Sequence, residues 1–548
     1  MHPSRASRAL MPLLLAAVAS LTTACGGGER GAAAGAAGGT PVDGGTAVLG
    51  VLVDFSGLNP VTNTSILTDD VIKNALFTPL IRYDAKLQPQ PYLAKSWELT
   101  DTSIVFHLRD DVRWHDGQPV TAEDVKFTFD LAKNPATASL LGSAYVNQVA
   151  SATVVDPHTI RFSFTAPHAQ ALEDFWWAPI PKHLLKDVAP EQLAQAPYNQ
   201  NPVGSGPFRF VSWTRNQQLV LAADTTFPQG LGGRPHLDRV VFRVVPEPTT
   251  MMTEVVNGGL DFAGYTLLPD QAQQLERQRG VDVRHAPSRE FTYLGWNNER
   301  PYFQDARVRR ALAMAIDRPE IIKGLLHGYG TPAVGMIPPW SPMYNDIQPL
   351  PYDTARAKQL LARAGWTDSD GDGILDRNGQ PLSFTLLVNS ANQMHKDIAT
   401  VIQQELRKLG VAVQLNTVEF QTMLKQHKAR NYDAVLSNWT LDSFKVDPTP
   451  LFSCAEAKKP GSANRAGFCD PVADSLITLG VRTTDPTVAK QVWGRFTERL
   501  QELQPITFLF WSDDLAALGP RLQGVEVDAR GKLADVAQWW IPARMQRR

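Results

Sequence analysis

The stretch FHLRDDVRWHDGQPVTAEDVKFTF, residues 106–129, runs from a strand end through a turn into a helix start. Just before and into it, residues 103–108 (SIVFHL) set apolar side chains on alternate positions, the pattern of a strand with one buried face. Asp116-Gly117 then supplies a turn. Thr121 is a candidate helix N-cap with Asp124 three positions on, as a capping box needs, and Val125, Phe129 and Ala132 fall on one helical face. His115, Asp116, Glu123 and Asp124 lie close enough to invite an acid–base catalytic reading. The turn and the cap account for Asp116 and Asp124 without it, so the stretch reads as structural.

Outward from there, the chain keeps alternating short strand patterns with amphipathic helices, which points to α/β lobes. Strands are predicted at 46–53, 159–164, 219–222, 239–245, 291–297, 384–389, 411–418, 434–439 and 506–511. Helices are predicted at 69–77, 249–257, 305–315, 354–364, 395–409 and 489–503, with Gly365 and Gly410 placed as helix stops. No fixed-period repeat is visible. At 548 residues the chain exceeds what one core supports, so two to four domains or lobes are expected. Hydrophobic residues are 43% and charged residues 20%, an ordinary globular balance, and the formal net charge of -2 gives no electrostatic case for nucleic acid.

The first 24 residues read as an export signal. Arg5 and Arg8 precede an apolar stretch, residues 9–21, too short to span a bilayer. Thr22-Thr23-Ala24-Cys25 follows, in the manner of a bacterial lipobox, although the aliphatic residue, Leu21, stands four rather than three places before the cysteine. On this reading Cys25 carries the lipid and anchors the protein to the outer face of the membrane; the alternative is an ordinary signal peptide cut nearby. Residues 26–45 (GGGERGAAAGAAGGTPVDGG) read as a flexible tether with a reach of roughly 25 Å. The remaining cysteines, Cys454 and Cys469, form a disulfide by default in an oxidising compartment. Two free thiols or a metal pair are the alternatives, and no histidine stands nearby at ligand spacing.

Several segments together resemble a known family. They are Leu58-Asn59-Pro60, LFTPLIRYD (76–84), PYLAKSWE (91–98), the stretch 106–129, GSGPFRF (204–210), LGWNNERPYFQDARVRRALAMAIDR (294–318) and AKQLLARAGW (357–366). In this order they resemble the family 5 extracellular solute-binding proteins of ABC importers, a group of oligopeptide-, dipeptide- and nickel-binding proteins. The resemblance covers residues 46–548. It implies an α/β, two-lobed periplasmic-binding-protein-like fold with an extra domain and two hinge crossover strands. The implied boundaries are 46–83, 201–295 and 509–548 for the first lobe, 84–200 for the extra domain and 296–508 for the second lobe. The strands predicted at 291–297 and 506–511 suit paired hinge strands, which permit closure with little change inside either lobe.

The best ligand candidate is SNWTLDSFKVDP, residues 437–448, because it follows a strand and so sits where clefts of α/β lobes form. The spacing of Trp439 and Asp442 matches peptide-binding members, in which the Asp pairs with the ligand α-ammonium, a charge-assisted hydrogen bond. Trp439 would pack beside the ligand, and backbone groups from Asn438 to Thr440 would add strand-like hydrogen bonds. Asp447, before Pro448, reads as structural. Of the aromatics, Trp296, Trp340, Trp439 and Trp511 lie nearest the expected hinge or cleft. In DSDGDGILD, Asp368, Asp370, Asp372 and Asp376 stand at the spacing of an EF-hand-like loop, although Gly379 replaces its closing Glu. They are candidate structural Ca²⁺ ligands, or else a solvated acidic turn. No cofactor is required, no hydrolase, P-loop or dinucleotide motif is present, and the chain does not read as an enzyme. The implied partners are a peptide-like solute and the permease subunits of an importer, with a monomeric body held at the membrane through Cys25. An oligosaccharide or metal chelate as ligand, or a surface sensor that does not transport, are the alternatives.

Overall fold

The computed structural model describes residues 39–546 apart from positions 168, 169, 266 and 442; Cys25 with its signal segment, and Asp442, lie outside the described residues. Two long strands organise the rest. Asp282–Trp296 and Ile506–Leu518 pair antiparallel from Asp282 opposite Leu518 to Gly295 opposite Ile506. One end of the pair continues through Phe262–Ala263 to Thr46–Val51, Arg239–Val244, Gln218–Ala223 and Phe208–Thr214. The other end continues through Ala434–Thr440 to Ser383–Asn389 and Ala412–Val418. One sheet therefore runs through both lobes, while the cores stay separate. Leu49, Leu221 and Phe242 belong to one apolar cluster, and Leu294, Trp296, Phe384 and Leu386 to another. The protein is a two-lobed, mixed α/β fold.

Between the two ends the ladder breaks. Its register passes from Pro287 opposite Asp513 to Phe291 opposite Trp511, so one strand carries two residues more than its partner across the gap. Such bulges bend a strand and re-aim its side chains. Ser288, Arg289 and Glu290 are those bulged residues, and the break falls ahead of the Trp296-Asn297 crossing that the resemblance implies.

Next to the first lobe, Ala94–Leu99, Ser103–Leu108, Thr159–Phe164 and Val149–Asp156 form a four-stranded antiparallel sheet. Helix Ala122–Lys133 packs on it, and the Asp124 carboxylate accepts the Thr121 N–H at 2.9 Å, closing the expected capping box. Phe106, Phe129, Phe162, Phe175 and Trp177 fill this sheet's core, which is continuous with that of the first lobe. The other polar residues of the 106–129 stretch have structural work too. His115 Nε2 donates to the Gly206 carbonyl at 3.0 Å, and burial pulls its pKa down. Asp116 meets His183, and Glu123 meets Lys182. The Gly206 segment in turn holds the carbonyl of Leu76 through the N–H groups of Ser205 and Gly206. A Cβ on Gly204 would lie 1.9 Å from that carbonyl oxygen, so only glycine fits there.

The helix expected at 69–77 starts earlier. It runs Ile66–Val71 with Ser65 as N-cap, then widens into a π-helical turn at Ile72–Leu76. Asp69 is thus mid-helix, and Lys73 lies in the wide turn. π-Turns recur at functional sites because they alter where side chains point.

Candidate ligand-binding site

A cavity of about 110 Å³ lies between the lobes. From the first lobe it is lined by residues 63–66, Asp69 and Lys73, from the extra domain by Tyr145, and from the hinge and second lobe by Arg289, Thr440 and Leu441. The π-turn presents Lys73, whose ammonium lies 2.8 Å from Asp69 Oδ2, donates to the Tyr145 hydroxyl at 2.9 Å and sits 4.4 Å from the centre of the Trp176 ring. Burial disfavours this charge, but Asp69 and Tyr145 together outweigh it and raise the Lys73 pKa.

The second wall follows from strand pairing. Thr440 lies opposite Glu290, Trp439 opposite Phe291 and Asn438 opposite Thr292. Side chains alternate along a strand, so Asn438 and Thr440 share a face and Trp439 takes the other. The Glu290 carboxylate accepts from Asn438 Nδ2 at 2.5 Å and from the Thr440 hydroxyl at 3.1 Å. Burial raises the Glu290 pKa, and those two bonds work against the rise. Trp439 packs instead inside the second lobe, in a group with Phe291, Tyr293 and Trp511, and does not line the interlobe cavity. Thr440 therefore stands at the cavity, while Asn438 braces its wall from below.

The segment after this strand crosses the gap. Phe444, from the second lobe, stacks on Trp176 with ring centres 4.9 Å apart and meets Tyr83 edge-on at 4.8 Å and Trp340 at 5.5 Å. Trp340 is fixed by donating its indole N–H to the Ser288 carbonyl at 3.1 Å. Lys445 pairs with Asp174 at 3.0 Å, with both side chains buried (8% and 0% exposed). The Val446 N–H donates to Gln170 Oε1 at 2.9 Å. Beside this latch, Glu173 accepts from the Tyr83 hydroxyl, and its pKa is pushed up to about 7 by burial. Asp70, buried and hydrogen-bonded by Tyr265, is pushed up to about 6 by desolvation.

Of the residues picked out in the sequence, Thr440 thus lines the cavity. Cys454 and Cys469 are joined in a disulfide 15 residues apart, as expected. Asp368, Asp370 and Asp372 come together, each offering an oxygen within 4.8 Å of the others, on an exposed loop. Asp376 is turned elsewhere: its carboxylate accepts from the Ser369 N–H and hydroxyl. Arg289, Glu290 and Lys73 were not singled out, and Phe444 and Lys445 fell within the candidate segment 437–448 without a role of their own. The charged pair Arg289-Glu290 directly ahead of the apolar run 291–296 was the available signal for the hinge wall.

Comparison with known proteins fits this architecture. Residues 88–459 match the model of bacterial extracellular solute-binding proteins, family 5 Middle. The chain is 29% identical to the oligopeptide-binding protein AppA of Bacillus subtilis (strain 168) over 98% of its own length and 99% of the relative. It is 26% identical to the dipeptide-binding protein of Escherichia coli (strain K12), covering 87% and 91%. Among solved structures, AppA in complex with a nonapeptide superposes with a TM-score of 0.75 at 28% identity, over 92% of this chain and 100% of that one. NikZ from Campylobacter jejuni, in complex with Ni(L-His), gives 0.76 at 25%, over 90% and 99%. With the match spanning most of its length, the chain belongs to the bacterial extracellular solute-binding proteins, family 5.

Proposed function

We propose that this protein captures peptides outside the cell in its interlobe cavity and delivers them to the permease of an ABC importer. The observation that carries the reading is the cavity walled from both lobes, with a latch crossing directly beside it. A ligand that touches both walls favours the closed form, because only that form offers both sets of contacts. The bulge at Ser288–Glu290 is where the lobes turn. Peptide-binding relatives support the choice of ligand.

Asp442 meets the peptide α-ammonium. The support is its spacing from Trp439, together with the position of its sequence neighbours Leu441 and Phe444 at the cavity and the latch. Isothermal titration tests this with peptides bearing a free or acetylated amino end. Acetylation should weaken binding to the wild-type protein by about tenfold or more, since a bond to a charged group contributes about 1.5–3 kcal/mol. Full peptide affinity in Asp442→Ala would remove the role.

A metal chelate is the second reading, favoured by the likeness to NikZ with its bound Ni(L-His). Thermal-shift comparison of peptides against Ni(L-His) separates the two. Two finer assignments accompany the main one. Cys25 is lipidated and holds the body at the membrane, on the strength of its lipobox-like setting; a mature mass lacking a diacylglyceryl group would contradict it. The triad Asp368, Asp370 and Asp372 takes a structural Ca²⁺, and a melting temperature indifferent to Ca²⁺ would contradict that.

A further inference from the structure

A second, larger cavity of about 620 Å³ adjoins the first. Lys73 borders both, and Trp176, which carries the latch residue Phe444 on its face, walls the larger one. The volume falls within the range of ligand sites, about 300–1,000 Å³. Its walls join first-lobe residues to the hairpin formed by Ile81–Tyr83 and Pro89–Pro91. Tyr83, Tyr92, Trp176 and Phe227 give it apolar surface.

The charges around it are unequal in their commitments. Lys73 is held by Asp69. Arg530 is held by Asp528 and Asp535 on both sides of its guanidinium. The Asp84 carboxylate is taken up by the N–H groups of Lys86 and Gln88 and by Gln90. Arg82 stands apart: its guanidinium lies over the Tyr92 ring at 5.1 Å, and it has no carboxylate partner among the described residues. Stacking on an aromatic face fixes the plane of a guanidinium while leaving its N–H fork available for a carboxylate.

We propose that the larger cavity is a second compartment of the binding site, which takes the far end of a longer peptide and pairs that end's carboxylate with Arg82. The proposal rests on the peptide reading above and extends it to ligand length. A short peptide fills only the cavity at Thr440 and Leu441. A longer one passes Lys73 into the second compartment.

Isothermal titration with alanine peptides, from dipeptide to nonapeptide, with free or amidated carboxyl ends, tests it on the wild type, Arg82→Gln and Arg82→Lys. For the longer peptides, amidation should weaken wild-type binding about tenfold. Arg82→Gln should show the same loss with the free peptide and no further loss on amidation, and Arg82→Lys should recover part of it. Dipeptides should bind the wild type and Arg82→Gln alike. An amidated peptide ending in Glu separates a side-chain carboxylate from a main-chain one: regained binding assigns Arg82 to either, and no regain confines it to the chain end. An amidation penalty that persists undiminished in Arg82→Gln, or affinities that ignore position 82 at every length, would overturn the compartment and leave it as solvent space, with peptide capture still standing. Failure of every peptide to bind the wild type would overturn peptide capture itself, and the compartment with it.

Discussion

Replacing Lys445 with Met tests the latch most sharply. The Lys445–Asp174 pair joins the second lobe to the extra domain beside the first lobe and is almost wholly out of water. Removing the ammonium takes one charged partner from the Asp174 carboxylate, 0% exposed, and breaking a buried ion pair costs up to about 3–5 kcal/mol. In the open form both groups are hydrated, so the cost falls on closure and not on the folding of either lobe. At about 1.4 kcal/mol per decade, the closed-to-open ratio should drop by up to about two to three and a half orders of magnitude. Ligand affinity then falls by up to the same factor, because only the closed fraction holds ligand on both sides. Calorimetry reads the affinity, and small-angle scattering reads the expansion of the unliganded protein. Adding Asp174→Asn to Lys445→Met removes the buried negative charge and should restore most of the affinity. If Lys445→Met bound ligand as tightly as the wild type and kept its scattering envelope, the latch would contribute nothing to closure.

Phe444→Ala should act in the same direction, weakening binding at least tenfold, since it loses aromatic contacts to Tyr83, Trp176 and Trp340 worth about 0.5–1.5 kcal/mol each beyond their burial. Glu173 adds a pH dependence. Its native pKa of about 7 lies above the ordinary 4.5, so the native state binds its proton more tightly than the unfolded chain does, and stability falls as pH rises from about 4.5 through 7. Glu173→Gln, neutral at every pH, should melt higher than the wild type at pH 8 and level with it near pH 4, read by thermal denaturation. Cys469→Ser opens the disulfide loop and should cost about 3 kcal/mol in denaturant unfolding. Gly204→Ala drives a methyl into the Leu76 carbonyl and should cost about 1–3 kcal/mol or more in the same assay.

The regular elements were legible because local patterns decide them. Ser103–Leu108 and Thr159–Phe164 emerge at their expected bounds, and the helix behind Thr121 starts one residue past its cap, since alternation and capping are written within a few residues of one another. The helix at Ile66 was read three residues late. Ser65 supplies the cap, so Asp69 and Asp70, the first residues of the expected helix, lie deeper in. Asp70 shows why acids mislead: it is buried, bonded to Tyr265 and to the Lys532 N–H from the far end of the chain. The site was half legible. Its strand, Ala434–Thr440, could be found from composition and its cavity-facing Thr440 from position. Its opposite wall could not, because Lys73, Arg289 and Asp174 are brought to the gap by a π-turn, a bulge and a 3₁₀ turn. The segments they bring together lie a hundred or more residues apart, and no local pattern announces that they meet. Phe444 had no visible role for the same reason: within its own segment it is one of several apolar residues, with Leu441 and Val446, and only the aromatic rings packed on it, Trp176 foremost, give it a role.

The most direct test is to unfold the protein purified from its native host and identify what it releases by mass spectrometry. Peptides, in about equal number to protein molecules, are the expected outcome of a cavity that closes around its guest from both lobes. Release of a metal chelate or an oligosaccharide in that amount, with no peptide, would contradict the account.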